Sequence, residues 1–150
     1  AYLHFSFLKL LYPVAIGAVD AEEIAQIASE KNDPQMCGRI KFPLFPLFID
    51  GFDITKEGII DLCYYKTAQF LEDEDICFNI DEGIYEDLSY RGNCIRNIAI
   101  IKKDITICKI ITKRFFKDEC YKFFIELGIN HSDCIDIDPE YRDSCYFAAK

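Results

Sequence analysis

Apolar or weakly polar side chains stand at 59, 60, 63, 64, 67 and 68, with the charged Asp61 and Lys66 between them. This i, i+1, i+4, i+5 spacing keeps one helix face dry and the other wet, so it predicts a half-buried helix. Asp53 or Thr55 is placed to start it, because both types accept hydrogen bonds from the free N–H groups of a first turn. The same texture returns in Cys94-Ile95-Arg96-Asn97-Ile98-Ala99 and in Glu23-Ile24-Ala25-Gln26-Ile27-Ala28. Recurrence of this kind makes a repeat the first thing to test.

The cysteines carry that repeat. They sit at 37, 63, 77, 94, 108, 120, 134 and 145 and alternate between two kinds. One kind heads the pattern C-x-x-I: Cys37 with Ile40, Cys77 with Ile80, Cys108 with Ile111, Cys134 with Ile137. The other precedes an aromatic in Cys63-Tyr64, Cys120-Tyr121 and Cys145-Tyr146, with Cys94-Ile95 the exception. The steps 63 to 77, 94 to 108 and 120 to 134 are each 14 residues, whereas the others are 26, 17, 12 and 11. Constant spacing marks packed structure, and drifting spacing marks loops that accept insertions. Glu23 stands 14 residues before Cys37, so a fifth unit lacking its cysteine opens the series.

Each constant step reads as a long helix, a tight turn and a short helix. Asp33, Asp73, Asp104 and Asn130 precede the C-x-x-I cysteines by four residues, and all are helix-capping types. Pro34 suits a first helical position and Gly128 the end of a preceding helix. Asp138-Pro139 opens a last helix through Arg142, Cys145 and Ala149. The β-branched Ile105-Thr106-Ile107 would suit a strand, but its spacing and Asp104 align it with its siblings and predict helix. The expected fold is all-α: an array of short antiparallel helix pairs, solenoid-like or bundled, linked by sequential disulfides. An apolar N-terminal arm at 1–19 precedes the repeat domain at 20–150.

Composition says what the cysteines do. Eight in 150 residues, with no C-x-x-C and only His4 and His131 as histidines, favour disulfides over a metal site, in an oxidising compartment or, as the alternative, inside a hyperthermophile cell. Cysteines 14 apart lie near opposite ends of a helix hairpin or of a rod roughly 21 Å long. A disulfide needs Cα atoms roughly 4.4–6.8 Å apart. Pairing across the variable loops is easier: Cys37–Cys63, Cys77–Cys94, Cys108–Cys120 and Cys134–Cys145. The rival register, 63–77, 94–108 and 120–134, strands Cys37 and Cys145 in different parts of the array.

The segment Cys134-Ile135-Asp136-Ile137…Arg142-Asp143-Ser144-Cys145-Tyr146 resembles the C-x-x-I…R-D-x-C-Y helical repeats of archaeal exported and envelope proteins, over roughly residues 20–150. Arg91-Gly92-Asn93-Cys94 and Glu23 depart from that pattern. The resemblance implies a secreted or surface setting and brings no catalytic residue with it.

Net charge is −9, from 17 basic and 26 acidic residues, with no dense basic stripe, which excludes nucleic acid as the main partner. The chain has no nucleophile motif, histidine-rich metal site or glycine-rich phosphate loop, so neither an enzyme nor a cofactor is expected. Asp136 and Asp138 form the kind of acidic pair that abundant carboxylates produce by chance. Glu72-Asp73-Glu74-Asp75 lacks the layout of a calcium loop and reads as a solvated turn with a helix cap.

Two apolar segments lie outside the repeat. Residues 1–19 are interrupted by His4, Lys9 and Pro13 and fall short of the about 20 apolar residues a bilayer span needs. They read as an arm that docks on its own array or on a neighbouring subunit, with a membrane anchor and a core helix packing under the first repeats as the other readings. Ala15-Ile16-Gly17-Ala18 also resembles a leader-cleavage site. Residues 41–49 carry Pro43 and Pro46, which disfavour both helix and central strand, so this apolar loop either fills the core or forms a contact. The candidate partner-binding residues are Leu3, Phe5, Phe7, Leu8 and Leu11 in the arm and Phe42, Leu44, Phe45, Leu47 and Phe48 in the loop. The function expected is a non-enzymatic extracellular or cell-surface structural protein that contacts other proteins, such as a subunit of a surface assembly or filament. The alternative is a binding module for a lipid or other apolar ligand, given 13 Phe and 9 Tyr.

Overall fold

The computed structural model describes residues 13–40, 47–49, 52–54, 56–83, 90–128 and 130–149. The class is all-α. Long α-helices alternate with short 3-10 helices (η): α1 Pro13–Glu30, η1 Pro34–Arg39, α2 Lys56–Leu71, η2 Glu74–Asn79, α3 Tyr90–Lys102, η3 Ile105–Ile110, α4 Arg114–Leu127, η4 Asp133–Asp136 and α5 Pro139–Ala148. The chain divides after Leu71 into two compact units.

In the first unit α1 and α2 pack on each other and η1 packs on both. The α1 face at Ala21, Ala25 and Ala28 is fully buried, as are Cys37 and Cys63. Helix α1 runs unbroken through residues 19 and 20, where the sequence places the end of the arm. Two short strands, β1 Leu47–Ile49 and β2 Phe52–Ile54, form an antiparallel ribbon with Phe48 opposite Asp53. This corrects two expectations. Asp53 belongs to a strand and does not start α2, which leaves the other expected start, Thr55, directly before Lys56 and outside the described residues; and the proline-rich loop ends in a ribbon that begins just after Pro46. Asp50-Gly51, the pair favoured in tight hairpin turns, separates the strands in sequence and was the signal for it.

In the second unit α3 packs against η2, η3 and α4, while α5 packs against α4 and η4. Ile80, Ile95, Ile98, Ile111, Tyr121 and Ile137 are its fully buried bulky side chains. The short elements are 3-10 helices, and this explains C-x-x-I. With three residues per turn, side chains at i and i+3 eclipse, so each cysteine and its isoleucine point the same way into the core. Ile80, Ile111 and Ile137 are essentially inaccessible, and Ile40 is nearly so. The strand-prone Ile105-Thr106-Ile107 lies in η3, as its alignment with its siblings requires.

The turn between long and short helix is built one way. Asn32, Glu72 and Lys103 have φ of 50°, 52° and 55°, each just before the conserved-position Asp of its unit. At the end of α1, Asn32 N–H donates to Ser29 O and Asp33 N–H to Ala28 O, the bond pair of a Schellman cap. At the end of α3, Lys103 N–H donates to Ile100 O and Asp104 N–H to Ala99 O in the same way. Ala28 and Ala99 are both fully buried, and the small side chain lets the short helix fold back closely. The Asp side chain can then cap the short helix. Asp73 caps η2 by accepting from Asp75 N–H at 3.0 Å. Asp104 likewise accepts from Thr106 N–H at 2.9 Å and from the Thr106 hydroxyl at 2.6 Å.

The capping role does not extend to all four expected residues. Asp33 makes no side-chain cap bond and lies 3.7 Å from Arg39 instead. Helix η4 starts at Asp133, so its N-cap position is Ser132 and not Asn130. Asp138 precedes Pro139 at the start of α5 but makes no cap bond. Asp104→Ala should therefore lower unfolding free energy by about 1–2 kcal/mol, against a few tenths for Asp33→Ala. Equal losses in thermal melts of the two variants would contradict this assignment of the caps.

Candidate functional site

Four disulfides organise the chain: Cys37–Cys63, Cys77–Cys94, Cys108–Cys120 and Cys134–Cys145. Their Cα atoms lie 5.5, 5.8, 5.8 and 5.6 Å apart, so the bonds span the variable loops. Every cysteine is paired, and all eight sulfurs belong to fully buried residues. Four intramolecular bridges of this kind fit an oxidising compartment. The Thr67 hydroxyl, also fully buried, sits 3.4 Å from Cys37 Sγ and donates to it, since a bridged sulfur carries no proton.

The arginine of R-x-x-C has a role that spacing alone did not show. Arg91 Nε donates to Ile80 O at 2.9 Å, and Arg142 Nε donates to Ile137 O at 3.1 Å. In both cases a side chain three residues before the second cysteine closes the carbonyl end of the short helix bridged to it. Lys117 holds the equivalent place in α4 and reaches forward to Asp138 at 3.1 Å.

That contact belongs to a polar and aromatic junction between α4 and α5. The rings of Tyr121 and Tyr141 lie 4.2 Å apart, Tyr141 donates to Asp118, and Asp138 N–H donates to Tyr121 Oη at 3.4 Å. Burial raises both phenols well above their usual value near 10, and the neighbouring carboxylates add to the effect. The folded chain therefore keeps these protons at a pH where the unfolded chain loses them. Their stabilisation is complete below pH 10 and is lost progressively above it. Tyr141→Phe should flatten the fall of the urea midpoint as pH rises above about 10. An unchanged slope would remove Tyr141 from this role.

Three of the acidic groups singled out in the sequence are occupied structurally. Asp73 is a cap, Glu74 pairs with Lys102 at 2.8 Å, and Asp138 pairs with Lys117. Among the described residues no three His, Cys, Asp or Glu side chains converge as a metal site would require. His131 stacks on Tyr146 with 4.8 Å between ring centres. A cleft of about 300 Å³ between α3 and α4 is lined by Arg96, Ile100, Glu119, Lys122, Phe123 and Glu126. Arg96 donates to Asn93 Oδ1 at 2.8 Å, while its buried Nε has no partner. The mixed charges of this cleft do not suit an apolar ligand.

No family model, curated protein or solved structure matches the chain. The reading of the site rests on the chain's own surface. Leu3, Phe5, Phe7, Leu8, Leu11, Phe42, Leu44, Phe45 and His4 lie outside the described residues; Leu47 and Phe48 are placed only as backbone of β1. Among the described residues no helix is long and apolar enough to cross a membrane. The structure adds a recurring surface feature. Beside its buried cysteine each of η2, η3 and η4 exposes one apolar side chain: Phe78 at 44%, Ile110 at 38% and Ile135 at 62%. The two positions between C and I in C-x-x-I carried this signal, the first in Phe78 and Ile135 and the second in Ile110. Reading it required knowing that these elements are 3-10 helices, in which positions between i and i+3 point outward.

Proposed function

We propose that this is a non-enzymatic structural or interaction protein that works outside the cell or on its surface, as a subunit joined to other copies or to envelope proteins. The observation that carries this reading is the apolar side chain exposed on each of the three successive short helices. A single exposed Phe or Ile is ordinary, but one on each of η2, η3 and η4 offers the second unit three apolar contacts to a partner. The four buried bridges support the extracellular address, because they hold short helices together where cellular reductants are absent. The apolar stretch before α1 supplies the connecting arm. The resemblance to archaeal envelope repeats points the same way.

Deletion of residues 1–12, which leaves α1 whole, is the direct test. Sedimentation should show a smaller assembly for the truncated protein than for the parent. An unchanged assembly state would remove the arm as connector. Native mass spectrometry of the parent separates this reading from a ligand-binding role: a stoichiometric apolar molecule carried through purification would replace assembly by binding.

A further inference from the structure

We propose that Asn130 is an N-glycosylation site that receives an oligosaccharide from a lipid-phosphate-linked donor. The chain has five asparagines, and only Asn130-His131-Ser132 places a hydroxyl residue two positions later, the acceptor pattern for this modification. All three residues are exposed, and they form the turn between α4 and η4. Two residues earlier, Gly128 ends α4 with φ of +79° and has open space where a side chain would stand.

The repeat shows what is unusual here. The equivalent residues Asp73 and Asp104 are committed to capping their short helices. Asparagine caps as well as aspartate, so Asn130 was free to do the same. Instead η4 begins at Asp133, with Ser132 at its N-cap position, and the Asn130 side-chain amide makes no hydrogen bond with any described residue. Only its carbonyl is used, accepting from Asp133 N–H at 3.0 Å. Two other asparagine side chains are engaged: Asn79 Nδ2 donates to Ile76 O, and Asn93 Oδ1 accepts from Arg96. The one acceptor pattern in the chain thus coincides with an exposed turn and an uncommitted amide.

In the transfer, Asn130 Nδ2 forms a bond to C1 of the donor's first sugar. The bond between C1 and the donor's phosphate oxygen breaks, and the lipid phosphate leaves with the electron pair. One amide proton passes to a base on the membrane-bound transferase. The Ser132 hydroxyl is the second element of the pattern that the transferase reads.

This inference rests on the exported reading, and one experiment keeps the two apart. Protein purified from its native source is digested without reduction, and the peptide containing residues 130–132 is weighed together with the disulfide-linked peptides. The expected result is a mass increment of whole sugar residues on that peptide. The increment should vanish in Asn130→Gln and in Ser132→Ala and persist in Ser132→Thr. These positions are exposed, so intact bridges in each variant will show that the fold is unchanged. An unmodified peptide alongside four intact bridges would overturn the glycan and leave the exported reading standing. An unmodified peptide alongside free thiols would overturn both.

Discussion

The double variant Cys77→Ala/Cys94→Ala should lose about 3 kcal/mol of unfolding free energy, the cost of freeing a closed loop with a separation of 17 residues. The second unit has 79 residues, and a unit of that size has a net stability of about 4–12 kcal/mol, so one bridge is a large share of it. The elements it joins explain why little else would substitute. Helix η2 has six residues and α3 has 13, lengths that are marginal as isolated helices. The loop between them also includes residues 84–89, which lie outside the described structure. Urea titration checks the prediction: the midpoint should fall, and the slope should rise as the unfolded chain expands. A double variant with the parent's midpoint would show that the bridge is dispensable. Removal of Cys134–Cys145, which closes a separation of only 11 residues, should cost slightly less.

Gly92→Asp should be at least as damaging, although it restores the residue found at the equivalent place in the other units, at Asp61, Asp118 and Asp143. Gly92 is buried in α3, and a Cβ there would lie 2.9 Å from Phe116 Cδ2, 3.0 Å from Cγ and 3.1 Å from Cβ. The close atoms sit at the root of a buried ring, which cannot swing aside as the tip of a flexible chain would. Overpacking of this kind costs about 1–3 kcal/mol, and an aspartate adds the burial of a charged group. Gly92→Ala isolates the steric part. Helix propensity favours alanine over glycine by about 1 kcal/mol, so a net loss of stability would show that the contact outweighs propensity. In a Phe116→Ala background the same Gly92→Ala change should become neutral or stabilising, because the clashing ring is gone. A loss of equal size in both backgrounds would place its cause elsewhere.

These two cases show how differently the parts of the molecule could be read from the chain. Cysteine pairing was legible because it follows from distance. A constant step of 14 separates two rigid elements, a drifting step spans a loop, and only the loop can bring two Cα atoms within bonding reach. The buried isoleucines were legible for a similar reason, since C-x-x-I has only one way to face inward. The Gly92 departure was visible as an irregularity, but its cause was not. Phe116 lies on another helix, and nothing local announces that its ring fills the space of the missing side chain. The left-handed turn residues were equally hidden. Asn32, Glu72 and Lys103 share no side-chain chemistry, and they adopt positive φ because a buried alanine and a returning short helix leave the backbone no other path. The exposure of Phe78, Ile110 and Ile135 was hidden too, because an apolar residue beside a buried cysteine reads as core until the fold shows which way it points.

What the chain settled by itself, then, was the part that spacing records: helical class, inward-facing positions and the disulfide register. All of these depend on intervals along one strand of backbone, which sequence records directly. What only the folded molecule decided was where the period breaks. The choice of 3-10 over α geometry, the glycine beneath Phe116, the ribbon after Pro46 and the unused amide of Asn130 each depend on what an element meets across space. Such contacts join residues far apart in the chain, and no interval encodes them.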